Sequence, residues 1–128
     1  MKIACGTDII EIERIKNSIE KYGEKFKENL YTEKEIEYCE DRKVQKYQHY
    51  AARFAAKEAI FKAISKLLVS EYSLKDFEII NDKNGKPEVV LKRDIKEIEN
   101  IDISISHCKD YAVAMVVVLL REVKDGIV

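Results

Sequence analysis

Glu58 and Lys62 stand four residues apart in the stretch Ala51 to Leu68, AARFAAKEAIFKAISKLL. The stretch has no Pro or Gly, is rich in Ala and Lys, and carries aromatics at helical spacing, so it predicts one long helix. At ~100° per residue, Phe54, Phe61 and Leu68 fall on one stripe that Ile60 and Ile64 widen. Ala51, Ala55 and Ala59 make a second, flatter face where another backbone can approach closely. Glu58 lies between these two apolar surfaces, where a lone charge is costly to bury. Either a cation neutralises it or it titrates. On an ordinary helix Glu58 and Lys62 are a solvated i,i+4 pair. Here they interrupt a helix that is apolar nearly all round, which points to a site. Asp8 ends a stretch of small residues, and His107 ends a serine-lined one, so each is out of place in a similar way. Two separated carboxylates and a Lys suit a hard cation and a phosphate. Mg²⁺ takes one or two protein carboxylates and completes its octahedron with water and substrate oxygens. The Lys then offsets charge on the phosphates or the leaving group.

The elements that must position these groups follow from the patterning. Lys2 to Ile10, KIACGTDII, alternates as a strand. Ile3, Cys5, Thr7 and Ile9 share one face; Ala4, Gly6 and Asp8 share the other, leaving room beside Asp8 for something other than a side chain. Taken alone, Asp8 reads first as a helix N-cap, because a helix follows at once. That helix, Glu11 to Tyr22, buries Ile12, Ile15, Ile19 and Tyr22 and ends at Gly23. Arg14, Ser18, Lys21 and Lys25 line a separate face. With glutamates interspersed it is an ordinary solvated surface, unless an acidic partner meets it. Phe26 to Leu30 is short and helical or irregular. Thr32 and Glu35 form a capping box for a short helix that runs to about Arg42, with Ile36 and Cys39 inward. Lys43 to Tyr50 leads into the central helix.

Downstream, a strand ending DFEII, a turn carrying Asn84-Gly85, and the strand Pro87 to Leu91 make a hairpin. Arg93 to Asn100 is a charged connector or a helical turn. Ile101, Ile103 and Ile105 alternate with Asp102, Ser104 and Ser106 in another strand. After a turn at His107 to Asp110, Tyr111 to Leu120 is apolar on both faces, as a central or doubly covered strand is. The layout is an α+β domain with a mainly antiparallel sheet packed against a long central helix.

Composition bounds the rest. A chain of 128 residues supports a single domain, 1–128, with a modest core. Charged residues are 37%, yet the signs cancel to a net −1, so the total balance asks for neither nucleic acid nor membrane. The longest apolar run is about half of the ~20 residues that a spanning helix needs. MKIACGTDII runs straight into patterned sequence without a signal peptide. Cys5, Cys39 and Cys108 are an odd set without metal spacing, and they suit a reducing cytoplasm.

Three stretches in order carry a resemblance. CGTDIIEIERI from Cys5 to Ile15, FAAKEAIFKA from Phe54 to Ala63, and SISH from Ser104 to His107 resemble the motifs of the holo-[acyl carrier protein] synthases. These are small 4′-phosphopantetheinyl transferases with a fold of their own, and the resemblance runs over nearly the whole chain. It implies transfer of the 4′-phosphopantetheine arm of coenzyme A to a serine of apo acyl carrier protein, in fatty acid biosynthesis. The other product is adenosine 3′,5′-bisphosphate. Carried over, Asp8 and Glu58 are Mg²⁺ ligands, and the metal bridges the coenzyme A pyrophosphate. Glu58, or a metal-bound water it orients, takes the serine proton. Lys62 stabilises charge as the pyrophosphate bond breaks. Arg53 and His107 match nucleotide-phosphate contacts, and Arg14 and Lys21 match positions that dock the acidic carrier. Lys57 belongs to the signature without a defined role. The family's glycine-rich turn after the second motif is absent, because Lys62 to Ser73 holds no Gly. No ligand contact is therefore assigned between Ser65 and Ser73. The resemblance further implies a homotrimer with shared active sites.

Two other classes stay open on the residues alone. A Mg²⁺-dependent nucleotide phosphohydrolase would use the same Asp, Glu and Lys. A non-catalytic module would bind an acidic protein or single-stranded RNA through the basic helix. RNA binding is disfavoured, because Phe54 and Phe61 read as core and no strand interleaves basic with aromatic residues.

Overall fold

One strand, then four α-helices, then four strands follow one another in a computed structural model that describes residues 2–65 and 72–121. Strand β1 is Lys2–Glu11, followed by helices α1 (Ile12–Tyr22), α2 (Glu24–Leu30) and α3 (Glu33–Glu40). Helix α4, Lys46–Ile64, comes next, then β2 (Phe77–Asn81), β3 (Pro87–Leu91), β4 (Ile98–His107) and β5 (Tyr111–Leu120). Strands β1, β5 and β4 form an antiparallel sheet with β5 in the middle; β2 and β3 form a separate hairpin. The α+β class and the antiparallel sheet against a long helix are as the patterning predicts.

The sheet and α4 meet because both offer small residues. Ala55 and Ala59 are fully buried on α4, and Ala112, Ala114, Val116 and Val118 face inward from β5. A Cβ on Gly6 would sit 2.1 Å from the Ala59 carbonyl oxygen and 3.0 Å from the Ala63 nitrogen. Only glycine admits the helix backbone there. The small-residue face of β1 thus accommodates a helix at Gly6 and turns into a cavity wall two residues later, at Asp8.

Several boundaries and faces differ from expectation. Helix α4 begins at Lys46 rather than Ala51, because the polar aromatic lead-in is itself helical. Leu68 lies outside the described residues. On α4 the alanine face is the deepest, while Phe54 and Phe61 are half-buried at its flanks. Asp8 is not an N-cap: β1 continues in register to Glu11, opposite Tyr111, and Glu11 takes the cap position without a side-chain bond. Ile12, Ile15 and Ile19 are buried as predicted, each stabilising by roughly 1.5–3 kcal/mol. Tyr22 is 58% exposed instead. Its stripe runs past the core in the last turn, where Gly23 (φ +64°) reverses the chain into α2. The charged connector becomes strand at Ile98, three residues before the isoleucine alternation begins. The Thr32–Glu35 capping box and the left-handed Gly85 of the hairpin turn form as predicted.

Candidate active site

Asp8 projects from the inner face of β1 and Glu58 from α4, and both line one cavity of about 360 Å³. Lys62, a turn after Glu58, does not pair with it. Its Nζ donates to Asp8 Oδ1 at 2.9 Å and to the Thr7 carbonyl at 3.1 Å. The helix–strand contact at Gly6 sets this reach, because it brings the last turn of α4 against the middle of β1. The ordinary solvated Glu58–Lys62 pair is absent, so Glu58 keeps no ion-pair partner within 4.0 Å among the described residues. Its pKa is raised, first by burial and then by the neighbouring Asp8 carboxylate, against a smaller opposing pull from Lys62.

That arrangement fits a divalent cation on its own evidence. The Asp8 carboxylate already raises the Glu58 pKa, and a cation between the two would relieve that repulsion. The donors are hard oxygens. Among the described residues no set of three or more His, Cys, Asp or Glu gathers to form an all-protein cage. Two protein carboxylates with the remaining positions left to substrate oxygens is the pattern Mg²⁺ accepts. Arg14 and Ser18, one turn apart on α1, line the same cavity with Ile10, Phe26 and Phe54. Lys21 lies a further turn along α1, exposed, with its Nζ 5.3 Å from the Tyr22 ring centroid. The two basic residues expected on one face therefore differ: Arg14 stands in the cavity wall and Lys21 on the open surface.

Arg53 and His107 meet elsewhere, in a cavity of about 190 Å³ walled also by Tyr38, His49, Asn81 and Ile105. Arg53 is 4% exposed. One guanidinium nitrogen, Nη2, donates to Asn81 Oδ1 at 2.8 Å, and the group stacks 4.2 Å from the Tyr38 ring centroid. Its Nε has no hydrogen-bond partner. No carboxylate pairs with it among the described residues. A buried cation in a cavity wall, with no carboxylate among those residues to pair it, invites an anion.

His49 in this cavity escapes a reading by motif. The available signal is spacing: His49 and Arg53 are i and i+4 on α4 and share a face. Lys57, undefined from the signature alone, is a core residue. Its Nζ donates to Glu35 Oε1 at 2.6 Å and to the carbonyls of Leu30 (2.9 Å) and Leu74 (3.1 Å), and the side chains of both Lys57 and Glu35 are fully buried. Glu35 Oε1 also caps the Thr32 N–H, and its Oε2 accepts from the Ile79 N–H at 2.7 Å. The Gly-free stretch after α4 falls mostly at residues 66–71, outside those described.

The fold and site together define an α+β chain in which one carboxylate from a sheet and one from a crossing helix share a cavity. The chain belongs to the 4′-phosphopantetheinyl transferase superfamily, whose model matches residues 4–116. The holo-[acyl-carrier-protein] synthase of Ruminiclostridium cellulolyticum is 48% identical over 128 residues, covering 95% of this chain and 96% of the relative. That of Fusobacterium nucleatum is 48% identical over 126 residues, covering 93% and 100%. Among solved structures, the Bacillus anthracis holo-(acyl-carrier-protein) synthase in complex with CoA (3′,5′-ADP) superposes with a TM-score of 0.76 at 38% identity, covering 90% of this chain and 94% of that one. The Helicobacter pylori synthase in complex with coenzyme A gives 0.77 at 32% identity, covering 90% and 99%.

Proposed function

We propose that this chain transfers the 4′-phosphopantetheine arm of coenzyme A to a serine of apo acyl carrier protein, releasing adenosine 3′,5′-bisphosphate. The observation that carries this reading is the meeting of Asp8, Glu58 and Lys62 at one cavity, in a chain of this family. The serine oxygen attacks the phosphorus attached to the pantetheine arm. The pyrophosphate P–O bond breaks, and its electron pair leaves with the nucleotide. Glu58, or a water that it orients, receives the serine proton. Asp8 and Glu58 would hold Mg²⁺, which when bound supplies charge neutralisation at the phosphates. Arg53 and His107, which line one cavity, hold the nucleotide's remaining phosphate, on the ribose.

The Lys62 side chain is 57% exposed, so its bond to Asp8 is a weak surface pair that it can leave for a phosphate oxygen. If it meets charge that develops as the bond breaks, Lys62→Ala lowers kcat more than it raises the KM for coenzyme A. Steady-state kinetics decide this. A pure KM effect would make Lys62 a ground-state clamp.

Arg14 and Lys21 dock the acidic carrier, with Arg14 at the cavity where the serine must arrive. Such exposed charges act mainly on association, and salt screens them over ~8–10 Å at physiological ionic strength. Arg14→Glu with Lys21→Glu should raise the KM for the carrier steeply and leave coenzyme A affinity nearly unchanged. Added salt should slow the wild type more than the double variant. Equal loss toward both substrates, at normal thermal stability, would place these residues in the nucleotide site.

A homotrimer with shared sites completes the reading. The outer sheet face leaves Ile3, Ile9, Tyr111, Val113, Met115 and Val117 exposed at 36% or more, an apolar surface of the kind that marks an interface. Within one chain the carboxylates and the Arg53–His107 pair line different cavities, and a site built between neighbours would unite them. The cytoplasm suits its free cysteines. No helix among the described residues is long and apolar enough to cross a membrane. Release of adenosine 3′,5′-bisphosphate from coenzyme A tests the function. It is expected only when apo carrier is present, and release without carrier would favour a nucleotide phosphohydrolase.

A further inference from the structure

His49 has a position that neither its helix nor the core accounts for. It is half-buried, lines the cavity of Arg53 and His107, and makes no hydrogen bond to any described residue. Its ring stands edge-on to its neighbours, with centroids 5.5 Å from Tyr38 and 6.1 Å from His107. Tyr38 in turn is flanked by Arg42 at 4.0 Å and Arg53 at 4.2 Å. The ring is therefore held in place by aromatic contacts while its polar edge goes unused. The groups around it come from three elements and are all cationic or neutral. Tyr38 comes from α3, Arg42 from just after it, Arg53 from α4, and His107 from the end of β4. No carboxylate pairs with this group among the described residues.

We propose that His49 is a third phosphate-binding group of this cavity, donating a ring N–H to the nucleotide's ribose phosphate beside Arg53 and His107. The inference rests on the coenzyme A reading above. In the empty cavity, burial first, then Arg53, Arg42 and His107, push the imidazole down to about 4, so it is neutral near pH 7. A phosphate dianion reverses that balance, because an opposite charge beside the ring favours the imidazolium. Binding is then linked to proton uptake, and affinity gains on the acid side of neutrality relative to a chain without this imidazole.

Titration calorimetry of the full chain tests this with coenzyme A and with dephospho-coenzyme A, which lacks the ribose phosphate. His49→Phe keeps the aromatic contacts and removes the donor; His49→Gln keeps a donor that cannot titrate. The runs are made at about pH 6 and about pH 8, on either side of the ordinary imidazole value, in two buffers of different ionisation enthalpy. His49→Phe should lose about tenfold or more in coenzyme A affinity, the size expected for a hydrogen bond to a charged group, and little for the dephospho form. It should also lose part of the proton uptake at the lower pH. His49→Gln should recover affinity without the uptake. Unchanged affinity and unchanged uptake in a folded His49→Phe would overturn the proposal and leave the ring as packing. If the wild type binds coenzyme A and dephospho-coenzyme A equally, the cavity takes no ribose phosphate. The proposal then falls with its parent reading of the cavity, an outcome distinct from loss at His49 alone.

Discussion

Asp8→Asn and Glu58→Gln are each expected to abolish transfer while the chain still folds. Each substitution keeps the shape of the side chain and removes a negative charge from a two-carboxylate cavity. A cation held by only two protein carboxylates loses half of that ligand charge with either change. For Glu58 the change also removes the group assigned to the serine proton. Stability should move the other way. The Glu58 pKa is raised by burial and by Asp8, so folding disfavours its charged form and the ionised carboxylate costs stability at neutral pH. The penalty is absent well below the ordinary carboxylate pKa and grows as pH rises through it toward the raised value. Glu58→Gln should therefore melt at or above the wild-type temperature at pH 7, by thermal denaturation followed in the far ultraviolet. Activity near wild type with Mg²⁺ present in either variant would remove the ligand assignment.

Lys57→Met should cost the fold more than any surface change in this chain. It leaves Glu35, 1% exposed, with two backbone donors and no cation. Breaking a buried pair by removing one partner costs about 3–5 kcal/mol. For a domain of this size that corresponds to a fall in Tm of about 10–20 °C. The Leu30 and Leu74 carbonyls lose their donor as well. Adding Glu35→Gln should recover much of the loss, because it removes the stranded charge and keeps an acceptor for the Thr32 or Ile79 N–H. The kcat of folded Lys57→Met should stay near wild type, since the ammonium's partners include neither Asp8 nor Glu58. A strong drop in kcat at normal Tm would make Lys57 part of the chemistry.

Much of this was legible because it is local. The period-two isoleucines of β4, the Thr32–Glu35 capping box, Gly23 after α1 and Asn84-Gly85 in the hairpin each state their structure within a few residues. The close face of Ala55 and Ala59 was legible too, and Gly6 is the residue that meets it. What the sequence hid is long-range. Lys62 has Glu58 within a turn, yet bonds to Asp8, 54 residues away in sequence, because the sheet lies beside that turn. Glu35 reads only as a capping residue until Lys57 and the Ile79 N–H are seen to enclose it. Tyr22 looked buried because periodicity does not say where the core stops. The motif residues Asp8 and Glu58 line one cavity and Arg53 and His107 another, a division that no spacing along the chain could reveal.

The most direct measurement is the intact mass of an apo acyl carrier protein after incubation with this chain, coenzyme A and Mg²⁺. The carrier should gain the mass of one phosphopantetheine, carried on a single serine. The gain should vanish when a chelator removes the metal or when that serine is replaced by alanine. An unchanged carrier mass, with the chain folded and both substrates present, would contradict the assignment of this site to phosphopantetheine transfer.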